Sequence, residues 1–207
     1  GVEQLIDYVN HLSFDDDAIA YLRSLNLFEE GFLEELKNFR FTGDIHAVPE
    51  GTLVFPGEPL VRVMAPIFEA QLIETTLLNI INHQTLIATK TSRIVQAAEG
   101  GSILEFGLRR AQGPDAGIYG ARASVIGGAD ATSNVLAGQM FGIPVRGTHA
   151  HSWVMSFSTE IESFRAYARC FPDACLLLVD TYDTLKSGVP NAIRVFHELR
   201  AAGHEPA

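Results

Sequence analysis

The stretch Val145-Arg146-Gly147-Thr148-His149-Ala150-His151-Ser152 decides how this chain is read. Apolar residues up to Val145 give way to a glycine, a hydroxyl and two imidazoles, and a helical pattern follows. That is the signature of a β-strand ending and opening into a helix. Two more junctions of this kind lie on either side. Ile103–Phe106 is a short apolar strand followed by Arg109 and Arg110, and Cys175–Val179 is another, followed by Asp180. Tyr119–Met140, Trp153–Cys170 and Val189–Ala202 read as the intervening helices. Strand-helix alternation builds parallel βαβ units, so the fold class is α/β. In a barrel of such units the chemistry sits at the carboxyl ends of the strands. Three units are visible where a closed barrel takes eight, and the sequence is expected to be a piece of a longer protein.

The first hundred residues differ. Residues 1–40 read as short helices. Ser13, followed by Asp15, Asp16 and Asp17, offers an N-cap and a negatively charged first turn, and Ile19, Leu22 and Leu25 then recur at helical spacing. Between residues 40 and 66 the apolar residues come in short runs, punctuated by Pro49-Glu50-Gly51 and Pro56-Gly57-Glu58. This is a small β segment, closed by Pro66. Residues 67–99 form one or two helices that bury Phe68, Leu72, Leu77, Ile80, Ile81, Leu86 and Ile87. The expected division is residues 1–100 and 101–207.

The chain has 207 residues, 47% of them hydrophobic, and a formal net charge of −10. An acidic balance argues against a sequence-neutral nucleic-acid surface, which would be basic. No run approaches the ~20 apolar residues of a membrane span, and no charged-then-apolar leader opens the chain. Cys170 and Cys175 are too few for a disulfide framework and read as buried apolar residues. A reducing, cytoplasmic setting is expected.

The strand ends supply the candidate chemistry. Arg109 and Arg110 present planar forks suited to carboxylates and phosphates, with a salt bridge to a neighbouring helix as the alternative. Gly147 allows close backbone approach, Thr148 adds a hydroxyl, and the following helix offers free N–H groups to an anion. His151 can serve as general base, phosphoryl acceptor or metal ligand. His149 and His151 would share a face of an extended backbone, which keeps a His-x-His metal pair open. Asp180 can orient His151 or take Mg²⁺ through oxygen. Asp183 reads equally well as a helix cap. Gly127-Gly128-Ala129-Asp130 matches neither the P-loop nor the dinucleotide fingerprint, and its small residues suit close packing. Only Lys37, Lys90 and Lys186 are present, none at a strand end, which counts against a Schiff-base aldolase barrel.

Three motifs together resemble nicotinate phosphoribosyltransferase. They are Glu105-Phe106-Gly107-Leu108-Arg109-Arg110-Ala111-Gln112-Gly113-Pro114-Asp115, then Gly127-Gly128-Ala129-Asp130-Ala131-Thr132-Ser133-Asn134-Val135-Leu136-Ala137-Gly138, then Gly147-Thr148-His149-Ala150-His151-Ser152. The resemblance implies an α/β sandwich domain followed by the first part of an irregular, incomplete α/β barrel. It implies nicotinate and phosphoribosyl pyrophosphate as substrates, and ATP hydrolysis, with Mg²⁺, coupled through a phosphohistidine. It places the phosphorylated histidine at His151 rather than His149 and its acidic partner at Asp180. Arg109, Arg110, Thr148, Phe106 and Ser152 fall in the substrate-binding set, with Phe106 matching the aromatic that stacks on the pyridine ring in the related nicotinamide enzyme. It further implies a homodimer with shared active sites. The family's N-terminal aromatic motif and its later barrel strands have no counterpart here, so residues 1–207 alone are expected to be inactive. The rival readings are a nicotinamide or quinolinate phosphoribosyltransferase, a non-catalytic dimerising fragment, and a His-x-His metallohydrolase barrel.

Overall fold

A computed structural model describes residues 1–206. They pack as two compact units, Gly1–Val145 and Arg146–Ala207.

The first unit opens with three short helices, α1 (Val2–His11), α2 (Asp16–Ser24) and α3 (Glu30–Lys37). The cap of α2 is Asp15 rather than Ser13. The Asp15 carboxylate accepts the Ala18 N–H at 2.8 Å, while the Ser13 hydroxyl turns back to the His11 carbonyl. Ile19, Leu33 and Leu36 form a small core that Phe14, Leu22, Phe68 and Leu72 close. The β segment is an antiparallel pair, β1 (Asp44–Ala47) and β2 (Val61–Met64), with Asp44 opposite Met64. Leu53 and Phe55, which read as part of that segment, lie outside both strands and are exposed.

Residues 67–99 resolve into one long helix, α4 (Ile67–Ala97). Its buried face carries Ile73 and Ile80 but also three polar residues, Glu69, Gln84 and Thr91. Glu69 is held by Thr42, which donates both its N–H (2.6 Å) and its hydroxyl (2.9 Å). Leu86, expected inside, faces outward.

The parallel part begins with β3 (Leu104–Glu105), then α5 (Pro114–Ile126), β4 (Ala131–Thr132) and α6 (Val135–Phe141). β3 and β4 pair in parallel, and Val145 adds a single parallel bridge to Thr132. The helix expected over Tyr119–Met140 is therefore two helices with a strand between them. Gly127 and Gly128 end the first. A side chain at Gly127 would lie 2.5 Å from the Ala88 carbonyl of α4, and Gly128 turns the chain at a φ of 104°. These small residues serve close packing, as their composition indicated.

Arg122 of α5 ties this unit together. Its guanidinium donates to both Glu50 oxygens, at 2.7 and 3.1 Å, contacts Glu3, and lies over the Phe141 ring. The Arg122 hydrogen bonds hold the Glu50 carboxyl down to about 2, from an ordinary 4.5. A depressed carboxylate stabilises the fold fully above pH 4.5 and loses that contribution as pH falls through 2. Solvent reaches this pair, so the effect is about 1 kcal/mol. In urea unfolding, Glu50→Gln should cost that amount at pH 5, and the difference should vanish near pH 2. A difference that stays constant with pH would show that the pair contributes nothing through charge.

The second unit holds α7 (His151–Met155), α8 (Glu160–Cys170) and α9 (Val189–Ala201). The expected single helix Trp153–Cys170 is broken because Thr159 starts a new one. Thr159 and Glu162 form a capping box that satisfies the first turn of α8. The core is Val154, Phe164, Ala168, Cys175, Ala192 and Val195. Cys175 is buried as expected, whereas Cys170 is exposed. Cys175–Val179 forms no strand ladder among the described residues, and the strand expected before Gly147, over Ile143–Arg146, is reduced to the Val145 bridge. No helix among the described residues is long and apolar enough to cross a membrane.

Candidate active site

In the second unit, Asp180 and His151 meet. His151 Nε2 lies 3.1 Å from Asp180 Oδ1, and both side chains are partly open to solvent, at 41% and 59%. His151 is the first residue of α7, so its ring is presented at the point where the chain turns from irregular backbone into helix. A carboxylate at that distance accepts Nε2–H and fixes the tautomer, which leaves the Nδ1 lone pair as the basic, nucleophilic atom.

Two residues earlier, His149 does something different. Its Nε2 accepts the Leu178 N–H at 3.1 Å, and its ring packs against Phe164 and Tyr167. Burial lowers the His149 pKa, which keeps the ring neutral and able to accept. His149 and His151 thus address residues 178 and 180, and the two segments run side by side, stitched by side chains in place of a strand ladder. The two Nε2 atoms are committed to different partners, one to the backbone and one to a carboxylate. Among the described residues no group of three or more His, Cys, Asp or Glu could hold a metal ion.

Thr148 is exposed, and its hydroxyl donates to the His149 carbonyl at 3.0 Å. Ser152 is exposed in the first turn of α7. Asp183 caps the π turn Thr184–Gly188, accepting the Lys186 N–H at 2.9 Å.

Arg109 and Arg110 stand in the first unit, on a 3-10 turn, Leu108–Arg110, directly after β3. Both are exposed, and neither is in an ion pair among the described residues, so the salt-bridge alternative is not realised there. Phe106 is 44% exposed beside them. The turn is anchored by Glu105, whose role the sequence did not disclose. One of its oxygens accepts the Thr132 hydroxyl at 2.7 Å, and the other accepts the Gly107 N–H. Its carbonyl accepts Ser133 N–H at 3.0 Å. A charged residue inside the apolar run Ile103–Phe106 was the available signal. A separate cavity of about 510 Å³ in this unit, between the β1–β2 loop and α4, includes none of the seven candidate residues.

Helices interleaved with the short parallel strands β3 and β4 fit a type II phosphoribosyltransferase fold, and the structural match bears this out. The chain matches the crystal structure of human nicotinic acid phosphoribosyltransferase with a TM-score of 0.90 at 33% identity, over 100% of this chain and 51% of that one. Residues 1–82 match the family model of the nicotinate phosphoribosyltransferase (NAPRTase) N-terminal domain. The Bacillus subtilis nicotinate phosphoribosyltransferase is 52% identical over 199 residues, and nicotinate phosphoribosyltransferase pncB2 of Mycobacterium tuberculosis is 47% identical over the same length. Those alignments cover 96% of this chain, and 40% and 42% of the two relatives. The chain belongs to the nicotinate phosphoribosyltransferase family and spans less than half the length of the curated relatives it matches.

Proposed function

We propose that the protein to which this chain belongs is a nicotinate phosphoribosyltransferase of NAD salvage. It would form nicotinate mononucleotide and pyrophosphate from nicotinate and phosphoribosyl pyrophosphate. The observation that carries this reading is the His151–Asp180 pair at 3.1 Å, in a chain whose relatives bear that name. ATP hydrolysis is coupled through His151. Nδ1 attacks the γ-phosphorus of ATP, the bond to the ADP oxygen breaks, and ADP leaves. Water later takes the phosphoryl group from Nδ1 and releases phosphate. Asp180 holds the ring in register and offsets the charge that the imidazole gains.

Mg²⁺ binds through few protein oxygens plus substrate phosphates, and a single exposed carboxylate meets that need. Asp180 would hold it, and the ion would offset phosphate charge. Arg109 and Arg110 take anionic substrate, Phe106 stacks on the pyridine ring, and Thr148 and Ser152 contact substrate through their hydroxyls. The enzyme acts as a cytoplasmic homodimer with shared active sites. The test is nicotinate mononucleotide formation by the full-length protein, with nicotinate, nicotinamide or quinolinate as acceptor and with or without ATP. Turnover with nicotinate that ATP stimulates supports the reading. Preference for either other acceptor overturns it.

A further inference from the structure

Gly188 stands at the end of the π turn, where α9 begins, with a φ of −58°. Any residue adopts that conformation, and in a helical position glycine is less favourable than alanine. Its reason is space. A Cβ at this position would lie 1.8 Å from the Val179 carbonyl oxygen and 2.7 Å from its carbon. Those are backbone atoms, which have no rotamer through which to yield. The next residue after Val179 is Asp180.

The turn itself is held from behind. Asp183 caps it through Lys186 N–H at 2.9 Å, and the Ser187 and Gly188 N–H groups both donate to the Asp183 carbonyl. Glu160, only 5% exposed at the start of α8, accepts from the Ser187 hydroxyl and from Asn191 Nδ2 at 2.9 Å. A buried carboxylate bonded to Ser187 in the turn and to Asn191 in the first turn of α9 leaves this end of the turn little freedom to retreat. The turn is a fixed wall, and Val179 rests against it at the one residue that has no side chain.

We propose that Gly188 is a positioning residue for the His151–Asp180 pair. It acts through the Val179 carbonyl, whose contact sets where the Asp180 carboxylate stands. The inference rests on the phosphohistidine reading for its kinetic consequence, and on geometry alone for its structural one. Gly188→Ala must push the 178–180 segment away from the turn, and the 3.1 Å contact to His151 is the link that gives. Displacing a reacting group by about 1 Å costs on the order of 100-fold in rate.

The experiment uses the full-length enzyme and four forms: wild type, Gly188→Ala, Asp180→Ala and the double variant. Two quantities are read. One is the single-turnover rate of phosphoryl transfer from ATP to protein. The other is the ring ¹⁵N shifts of His151, which report the hydrogen bond at Nε2 without any reaction. Gly188→Ala should slow transfer by about 10- to 100-fold and move the His151 shifts toward those of Asp180→Ala. Added to Asp180→Ala, it should change the rate less than about twofold, because the group it positions is already gone.

Equal losses in both backgrounds, or unmoved His151 shifts in a folded Gly188→Ala protein, overturn the proposal. If Gly188→Ala does not fold, Asn191→Ala loosens the turn without adding volume and should shift the same resonances by a smaller amount. No movement there also overturns it. If wild type takes no phosphate yet the shifts behave as expected, the phosphohistidine reading fails and the positioning role stands.

Discussion

Full-length enzyme carrying His151→Asn should take up no phosphate from γ-labelled ATP, and should lose all ATP stimulation of nicotinate mononucleotide formation. His149→Asn should still be labelled. The two imidazoles lie two residues apart, but their ring nitrogens are committed differently. His149 spends Nε2 on the Leu178 N–H and is packed under Phe164 and Tyr167. His151 gives Nε2 to Asp180 and is partly solvent-exposed, with Nδ1 as its nucleophilic atom. Covalent catalysis by nitrogen needs both an accessible lone pair and a partner that holds the opposite proton. Only His151 has them. The label should be acid-labile and stable in alkali, as a phosphoramidate is. Label retained by His151→Asn, or lost only in His149→Asn, would refute the assignment. Because Asn cannot accept a phosphoryl group, the expected loss is complete rather than graded, which makes this the sharpest result available.

The features legible in the sequence were those with length behind them. The 31 residues of α4 and the 13 of α9 repeat their apolar positions often enough for the period to show. Strands of two residues do not, and β4 was absorbed into a helix because Ala131-Thr132 has no alternation to display. Cys175–Val179 has the composition of a buried strand, and Cys175, Leu177 and Val179 do pack into the apolar core, while Leu176 is exposed. The backbone of this segment, however, is secured by an imidazole nitrogen, which no pattern of hydrophobicity encodes. The His151–Asp180 pairing was legible because both residues sit just past apolar runs. Glu105 and Gly188 were not. Glu105 bonds Thr132, 27 residues away, and Gly188 matters only for its proximity to Val179. Both depend on contacts between elements: the charge of Glu105 inside an apolar run marks it as unusual without naming its partner, and nothing in the composition around Gly188 marks it at all.

Arg109→Ala should lower kcat/KM for nicotinate by about 2–5 kcal/mol, the cost of losing one charge-assisted contact to an anion in a desolvated site. Arg109→Lys should recover little of it. A guanidinium offers two parallel N–H groups to a carboxylate, whereas an ammonium is a point charge on a flexible stem. The structure removes the main competing explanation. Arg109 is exposed on the Leu108–Arg110 turn and makes no ion pair among the described residues, so its loss should leave folding intact. The turn keeps its anchors in either variant, because Glu105 holds Gly107 and Thr132 without help from the arginine. Unchanged melting temperatures beside a large kinetic loss would therefore assign the effect to substrate. Wild-type kinetics for both nicotinate and phosphoribosyl pyrophosphate in Arg109→Lys would show that neither substrate uses this fork. A loss of activity that tracks unfolding would instead make Arg109 structural, in contradiction to its unpaired, solvent-facing position.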